Sequence, residues 1–163
     1  MSFTDSYLGR LRAHVGSAPL MSGGVRVLVE DAQGRFLILR RADDGKWGLP
    51  AGGMELGESL LDAAARELRE ETGLRLIAPT PFGLASDPTI ETHTYPNGDT
   101  VQYITLLVHS ALGDQTPVAR DGEARAFDWI TPDAVPGLDF ATPERPTFDH
   151  WQRFRVTGTF QMG

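Results

Sequence analysis

Three glutamates, Glu67, Glu70 and Glu71, are the residues of this chain whose type and spacing could do chemistry. At spacings i, i+3 and i+4 they share one face of a helix, where like charges destabilise the helix unless something compensates them. A divalent cation would compensate them, and carboxylate oxygens suit hard cations such as Mg²⁺ or Mn²⁺. Such a cation can polarise a phosphoryl oxygen and lower the pKa of bound water, as hydrolysis of a diphosphate requires. The alternative is a solvated charged face.

A glycine-rich loop followed by a helix must position these carboxylates. The loop contains Gly52, Gly53 and Gly57. Glycine there would let the backbone approach whatever the carboxylates hold. Ser59 and Asp62 predict a capping box at the start of the helix, and Gly73 predicts a left-handed end. The predicted apolar face of the helix consists of Leu61, Ala64, Ala65, Leu68 and Thr72. Charges of one sign behind such a loop favour a ligand site over a solvated face.

The stretch from Gly52 to Leu74 resembles the Nudix box. Gly52 is followed after five residues by Glu58, and seven residues later by the run Arg66-Glu67-Leu68-Arg69-Glu70-Glu71-Thr72-Gly73-Leu74, which fills every fixed position of that box. The resemblance implies a Nudix hydrolase, an enzyme that cleaves nucleoside diphosphates linked to another group. It also implies the Nudix fold, an α+β architecture (an α/β/α sandwich) in which helices flank a mixed curved sheet.

The resemblance also implies roles for individual box residues. Glu67, Glu70 and Glu71 are expected to be metal ligands, and Glu70 and Glu71 are central to catalysis. Glu58 is expected to join them, either as an auxiliary metal ligand or as a carboxylate that supports the ligands. Arg66 lies four residues before Glu70 and is expected to orient a carboxylate of the site. The alternative for Arg66 is an ordinary surface ion pair, which would contribute little.

Further candidates lie outside the box. Glu123 comes just before a predicted strand, where several Nudix relatives carry a further metal ligand or general base, and we include it among the catalytic residues. The alternative for Glu123 is a turn carboxylate. Arg26, Arg40 and Arg41 could reach the diphosphate from the side of the sheet.

The polar segment 87–99 is a candidate for selecting the group beyond the diphosphate. Loops around a rigid scaffold usually supply such contacts. Tyr95 offers a stacking surface and Asn97 offers hydrogen-bonding groups. The alternative is a plain hairpin turn at Asn97-Gly98, with Tyr95 packed on its own strand.

Alternating and β-branched runs predict the strands that surround the box. The predicted strands are residues 25–30, 35–40, 82–86, 101–109 and 126–130. The first two flank turn residues at 31–34 and predict a hairpin. Helices are predicted at 7–12 and 143–154. The first of them either packs across the domain or mediates self-association, so the sequence leaves a homodimer open.

Length and composition narrow the class of protein. The 163 residues predict one domain spanning 1–163, with an N-terminal extension at 1–20 and a loose tail at 157–163. The net charge of −7 argues against binding to a nucleic-acid polymer. No stretch reads as a signal peptide or a membrane span, and the chain has no cysteine. We therefore expect a cytoplasmic protein without a membrane partner.

Together these features predict a Mg²⁺-dependent (or Mn²⁺-dependent) pyrophosphohydrolase. Its partner would be a small nucleoside diphosphate derivative, cleaved to a nucleoside monophosphate and a phosphorylated second product. The diphosphate that the box is expected to bind is present in ADP-ribose, in nucleotide sugars and in nucleoside or deoxynucleoside triphosphates. The sequence therefore does not decide which of these is the substrate. The alternative is a non-catalytic nucleotide-binding sensor of the same fold.

Overall fold

The fold consists of a mixed β-sheet with helices on both faces. The computed structural model describes residues 3–95, 97–120, 122 and 124–163. The helices are α1 Tyr7–Val15, α2 Leu60–Thr72 and α3 Pro146–Thr157. The strands are β1 Leu20–Glu30, β2 Phe36–Arg41, β3 Trp47–Gly48, β4 Ala51–Gly53, β5 Thr80–Ala85, β6 Thr92–Thr94, β7 Thr100–Ala111, β8 Ala124–Ile130 and β9 Gln161–Met162. Short 3₁₀ turns occupy Phe3–Asp5, Pro132–Gly137 and Thr142–Glu144. Within the described residues, no helix is both long and apolar enough to cross a membrane.

The sheet is built around β1 and runs in the order β3-β2-β1-β7-β5-β9, with β4 paired to β1, β6 to β7 and β8 to β2. β1 and β2 are antiparallel, with Glu30 opposite Phe36, which confirms the predicted hairpin. β1 and β7 are parallel along their length. Central strands of this kind are covered on both faces, and β1 accordingly has buried residues pointing to both sides.

Two hydrophobic clusters lie on opposite faces of the sheet. Val25, Val27 and Val29 of β1 pack in one cluster with residues of α2, including Leu68. The second cluster contains Leu28 and the α3 side chains, and its members are Leu28, Phe36, Ile38, Leu49, Phe82, Ala85, Leu107, Ile130, Val135, Phe140, Phe148 and Trp151. The alternation along β1 therefore sends neighbouring residues to different helices. The predicted α/β/α layering is confirmed.

Helix α2 has the boundaries that its capping residues predict. The Ser59 side chain accepts a hydrogen bond from the Asp62 N–H, and the Asp62 carboxylate accepts one from the Ser59 N–H. Gly73 ends the helix at φ 72°, a left-handed conformation that glycine adopts without strain. Leu68 faces the sheet as predicted, whereas Leu61 is 38% exposed. Helix α2 is thus fixed at both ends directly behind the glycine loop.

Both ends of the chain contact the rest of the domain. The tail, predicted to be loose, includes β9, which pairs in parallel with β5. Backbone hydrogen bonds explain this order, because the Gly163 carbonyl accepts from Asp87 at 3.1 Å and the Gly163 N–H donates to Leu84 at 3.0 Å. At the other end, α1 packs on the same chain through the Arg12 guanidinium, which donates to the Thr100 carbonyl at 2.8 Å. Self-association stays a prediction.

Candidate active site

One cavity of about 780 Å³ brings the box carboxylates to the same place as residues from the sheet. Helix α2 lines it with Arg66, Glu67, Glu70 and Glu71. Strand β4 contributes Ala51, Gly52 and Gly53 beside them. His93, Tyr95, Tyr103 and Thr105 line the same cavity. The lining therefore combines an acidic group of residues, the acidic side, with an aromatic group, the aromatic side.

Arg66 lies at the centre of the acidic side. Its guanidinium binds both carboxylate oxygens of Glu58, at 3.0 and 2.7 Å, and it donates to Glu67 at 2.7 Å. It also donates to the Gly53 carbonyl at 2.8 Å and lies 3.8 Å from a carboxylate oxygen of Glu70. These bonds lower the pKa of Glu58 and raise the pKa of Arg66. The contacts fit the orienting role expected of Arg66, and they place Glu58 as its main partner.

Glu67 lies directly against the backbone of Gly52. A Cβ atom added at Gly52 would lie 2.1 Å from the Glu67 carboxyl carbon and 2.2 Å from one of its oxygens. Real side chains never approach so closely, so only glycine fits at this position while Glu67 keeps its place. The box glycine therefore makes room for the carboxylate that follows it by 15 positions in the sequence.

Glu71 and Glu70 differ in their surroundings. Glu71 is 7% exposed, and one of its oxygens accepts a hydrogen bond from the Ala51 N–H at 3.0 Å. Glu70 is 31% exposed and also lines the cavity. Helix α2 thus presents one anchored carboxylate and one accessible carboxylate beside Glu67.

The donor type fits a hard divalent cation, because Glu67, Glu70 and Glu71 all line the cavity and supply only carboxylate oxygens. Within the part of the chain that the structure describes, no group of three or more histidine, aspartate or glutamate side chains is gathered at metal-binding distances. The metal-ligand roles of these three residues, and of Glu58, stay a prediction.

The candidate arginines from the sheet occupy three different environments. Arg26 is 5% exposed and its guanidinium binds Glu91 at 3.3 Å on each carboxylate oxygen, as well as the Pro143 carbonyl at 2.9 Å. Glu91 also accepts from the Thr105 hydroxyl at 3.0 Å. Arg26 lines the cavity, but its guanidinium is bound within this buried network. It would have to rearrange before it could bind a phosphate.

Arg41 lies at the cavity, whereas Arg40 lies outside its lining. Arg41 binds Asp43 at 2.7 Å, and this hydrogen bond lowers the pKa of Asp43 to about 2. Its guanidinium also lies 3.7 Å from Glu144, a buried carboxyl whose pKa is raised by burial. Arg40 instead lies 5.8 Å above the ring of Trp47 and donates to the Gly45 carbonyl. Of the two neighbours, only Arg41 reaches the candidate site.

The segment 87–99 combines both alternatives considered for it. Strand β6 pairs with β7, and the Gly98 N–H donates to the Tyr95 carbonyl at 2.9 Å, as in a hairpin turn. Tyr95 nevertheless lines the cavity, where its hydroxyl lies 2.7 Å from the hydroxyl of Tyr103. Asn97 lies at the exposed tip and donates to Asp99 at 2.9 Å. The hairpin therefore brings Tyr95 to the cavity and leaves Asn97 outside it.

Glu123 lies outside the described residues, so its predicted role stays a prediction. Its neighbour Gly122 lines the cavity. Sequence reasoning missed Glu91, Glu144 and Tyr103, which all line the cavity although they belong to no motif. The sequence around the two glutamates carries no clear signal, since Glu91 lies between Ile90 and Thr92, and Glu144 lies between Pro143 and Arg145.

Comparison with known proteins agrees with this geometry. The profile of the NUDIX domain matches residues 22–152. The nucleoside triphosphatase NudI of Enterobacter sp. (strain 638) is 35% identical, over 71% of this chain and 86% of its own length. A MutT-like protein of Streptomyces ambofaciens is 36% identical, over 73% of this chain and 70% of its own length. The NUDIX domain of Shewanella oneidensis NrtR, solved in complex with ADP ribose, superposes with a TM-score of 0.68 at 18% identity, covering 96% of this chain and all of the other.

The chain therefore belongs to the NUDIX domain family and has the Nudix fold, as the box predicted. It is a Nudix hydrolase, an enzyme acting on phosphoric anhydride bonds, and Nudix hydrolases generally use divalent metal ions. The similarity to the NrtR domain, at 18% identity, supports the fold alone.

Proposed function

We propose that this protein is a Mg²⁺-dependent pyrophosphohydrolase of nucleoside triphosphates, which releases a nucleoside monophosphate and pyrophosphate. The observation that carries the proposal is that one cavity is lined both by the box carboxylates and by Tyr95, Tyr103 and His93. Such a cavity can hold phosphates at one end and a planar base at the other. The names of two relatives, a nucleoside triphosphatase and a MutT-like protein, support triphosphates over ADP-ribose and nucleotide sugars. The cytoplasmic setting expected from the sequence is part of this proposal.

In this proposal Glu67, Glu70 and Glu71 hold the cation, with Mn²⁺ as its substitute. When bound, the cation supplies charge neutralisation on the phosphoryl oxygens and a lower pKa for coordinated water. Arg66 keeps Glu67 in place through their 2.7 Å bond, and Glu58 in turn fixes Arg66. The backbone of Ala51 fixes Glu71. Carboxylates held in this way need little reorganisation when the substrate arrives, which favours catalysis.

Arg41 is the residue that we assign to the phosphates at the cavity wall. Its guanidinium is balanced by Asp43 and Glu144 before substrate binds. A polyphosphate carries more negative charge than either carboxylate and offers a guanidinium several oxygens. Arg26 has a different role in this proposal, because it neutralises the buried Glu91 and so keeps the floor of the cavity in shape.

A substrate panel tests the proposed function. Purified protein is incubated with Mg²⁺ and, separately, with nucleoside triphosphates, ADP-ribose and nucleotide sugars, and the products are identified by mass. We expect a nucleoside monophosphate and pyrophosphate from triphosphates, with the highest kcat/KM in the panel. Faster cleavage of ADP-ribose or of a nucleotide sugar would overturn the choice of substrate. Nucleotide binding without turnover would instead support the sensor alternative.

Mg²⁺ or Mn²⁺ is expected to raise the melting temperature. A ligand that binds only the native state stabilises it by RT ln(1 + [L]/Kd), about 2.7 kcal/mol at a hundredfold excess over Kd. For a chain of this size that corresponds to roughly 5 to 10 °C. Ca²⁺ should also stabilise the protein but support turnover poorly, because its coordination is looser.

Thermal melts with each cation, alongside Glu70→Gln, check this expectation. The variant should lose much of the shift that the cation produces. Turnover with Ca²⁺ equal to that with Mg²⁺, or the same cation-induced shift in the variant, would contradict the assignment.

Tyr95→Ala is expected to change the relative kcat/KM values of the substrates in the panel by several-fold. The melting-temperature shift produced by Mg²⁺ should stay unchanged. The reason is that Tyr95 lines the cavity but is not one of the proposed cation ligands. Asn97→Ala is the matched control, because Asn97 belongs to the same hairpin but lies at its exposed tip. Relative kcat/KM values that stay the same in Tyr95→Ala would show that the hairpin does not select the substrate.

A further inference from the structure

Helix α1 lies outside the region that matches the NUDIX profile, residues 22–152, yet it forms part of the cavity wall. Ser6, the residue that caps this helix, and Leu8 in its first turn both line the cavity. Leu8 is partly buried and is the aliphatic side chain that α1 offers to the cavity. A segment added to the matched domain therefore contributes directly to the space in which the substrate would lie.

The first turn of α1 is tied to the loop that leads into α2. The Tyr7 N–H donates to both carboxylate oxygens of Glu55, at 2.9 and 2.8 Å. Arg10 lies 3.6 Å from the same carboxylate. The Glu55 N–H donates in turn to Glu58 at 2.7 Å, the residue that holds Arg66. The start of α1 is therefore connected to the acidic side of the cavity through one short chain of hydrogen bonds.

The last turn of α1 is tied to the aromatic side. Arg12 is 9% exposed, and its guanidinium donates to the Thr100 carbonyl at 2.8 Å and lies 3.5 Å from Asp99. Asp99 also accepts from the Tyr95 N–H at 2.8 Å through its carbonyl, so the same hairpin presents Tyr95 to the cavity. Arg12 further donates to the Gly16 carbonyl at 3.0 Å, which stabilises the end of α1 itself.

We propose that α1 is a substrate-specificity element: it bridges the two sides of the cavity and places Leu8 against the nucleobase of the substrate. This proposal rests on the proposed function, since it takes a nucleotide to be the ligand. Leu8 lies four residues before Arg12, on the same face of α1, and lines the same cavity as Tyr95 and Tyr103. Aliphatic and aromatic side chains that line one cavity can bind a planar base, while the phosphates lie with the carboxylates. Helix α1 holds none of the proposed cation ligands, and Leu8→Ala leaves the hydrogen bonds from the Tyr7 N–H to Glu55 in place, so the change acts on binding of the base.

The test compares two ligands that differ by the nucleoside. Calorimetry in the presence of Mg²⁺ measures the affinity for an α,β-methylene nucleoside triphosphate and for inorganic tripolyphosphate. Neither measurement depends on turnover, so a failure of this proposal is distinguishable from a failure of the proposed hydrolysis. We expect Leu8→Ala to weaken the nucleotide by about tenfold, the effect of losing roughly 1.4 kcal/mol of apolar contact. Tripolyphosphate should keep its affinity within about twofold.

Two further variants make the result decisive. Val15→Ala is the matched control, because Val15 belongs to the same helix, is 40% exposed and lies outside the cavity lining. Arg12→Met removes the tie to Thr100 without touching the cavity, and it should weaken the nucleotide at least as much as Leu8→Ala. Circular dichroism and thermal melts confirm that each variant is folded. Unchanged nucleotide affinity in Leu8→Ala and Arg12→Met, or a parallel loss for tripolyphosphate, would overturn the proposal, as would a wild-type protein that binds no nucleotide.

Discussion

Glu70→Gln and Glu71→Gln are each expected to lower kcat by at least about two orders of magnitude, as the loss of a principal electrostatic group in an active site usually does. Both side chains line the cavity on the same face of α2 as Glu67. An amide keeps the shape of the side chain but removes the negative charge that would hold the cation. The measurement is kcat and KM for the best substrate of the panel, at saturating Mg²⁺.

The stability of these variants separates a catalytic role from a structural one. Without metal, removing one of several adjacent negative charges should leave the melting temperature unchanged or raise it. In Glu71→Gln the amide oxygen can still accept the hydrogen bond from the Ala51 N–H, so the anchor to β4 is kept. Asp114→Asn serves as a control, because it makes the same kind of change at an exposed turn. Near wild-type activity in either glutamine variant would refute the assignment.

The local features of the site could be predicted from the sequence because short-range rules govern them. The capping box of Ser59 and Asp62 and the left-handed Gly73 follow from hydrogen bonds between near neighbours, and both are present. The spacing of the three box glutamates fixes their common face in any α-helix. The hairpin of β1 and β2 is confirmed for the same reason, since its turn residues and alternating strands are contiguous.

Features that depend on distant partners could not be read in this way. Nothing near Arg26 indicates that Glu91, 65 residues away, will neutralise it inside the protein. The choice between Arg40 and Arg41 depends on strand register, because adjacent residues point to opposite faces of the sheet. The contacts of the tail depend on β5, the strand with which residues 161–162 pair, which lies much earlier in the chain. Each case is a tertiary contact that residue type alone leaves undetermined.

Gly52→Ala is expected to lower kcat/KM on the order of a hundredfold, because a misplacement of about 1 Å in an active site can cost that much. The added methyl group would lie 2.1 Å from the Glu67 carboxyl carbon, so the carboxylate must move out of its place beside the backbone. That movement also breaks the 2.7 Å bond between Glu67 and Arg66. The melting-temperature shift produced by Mg²⁺ should shrink in parallel, because one of the proposed ligands is displaced.

Gly53→Ala is the control that isolates this effect. The two glycines are adjacent in β4, but a Cβ atom at Gly53 meets nothing within 4 Å. Both substitutions change backbone entropy in the same way, so a general effect of alanine in this strand would appear in both variants. In the absence of metal, we expect Gly52→Ala and Gly53→Ala to have similar melting temperatures. The reason is that the atoms that must move in Gly52→Ala belong to the end of the flexible Glu67 side chain. The measurement is kcat/KM of the two variants, with and without added Mg²⁺. Equal activity in the two variants would mean that the position of Glu67 does not matter for turnover, and that Glu70 and Glu71 hold the cation without it.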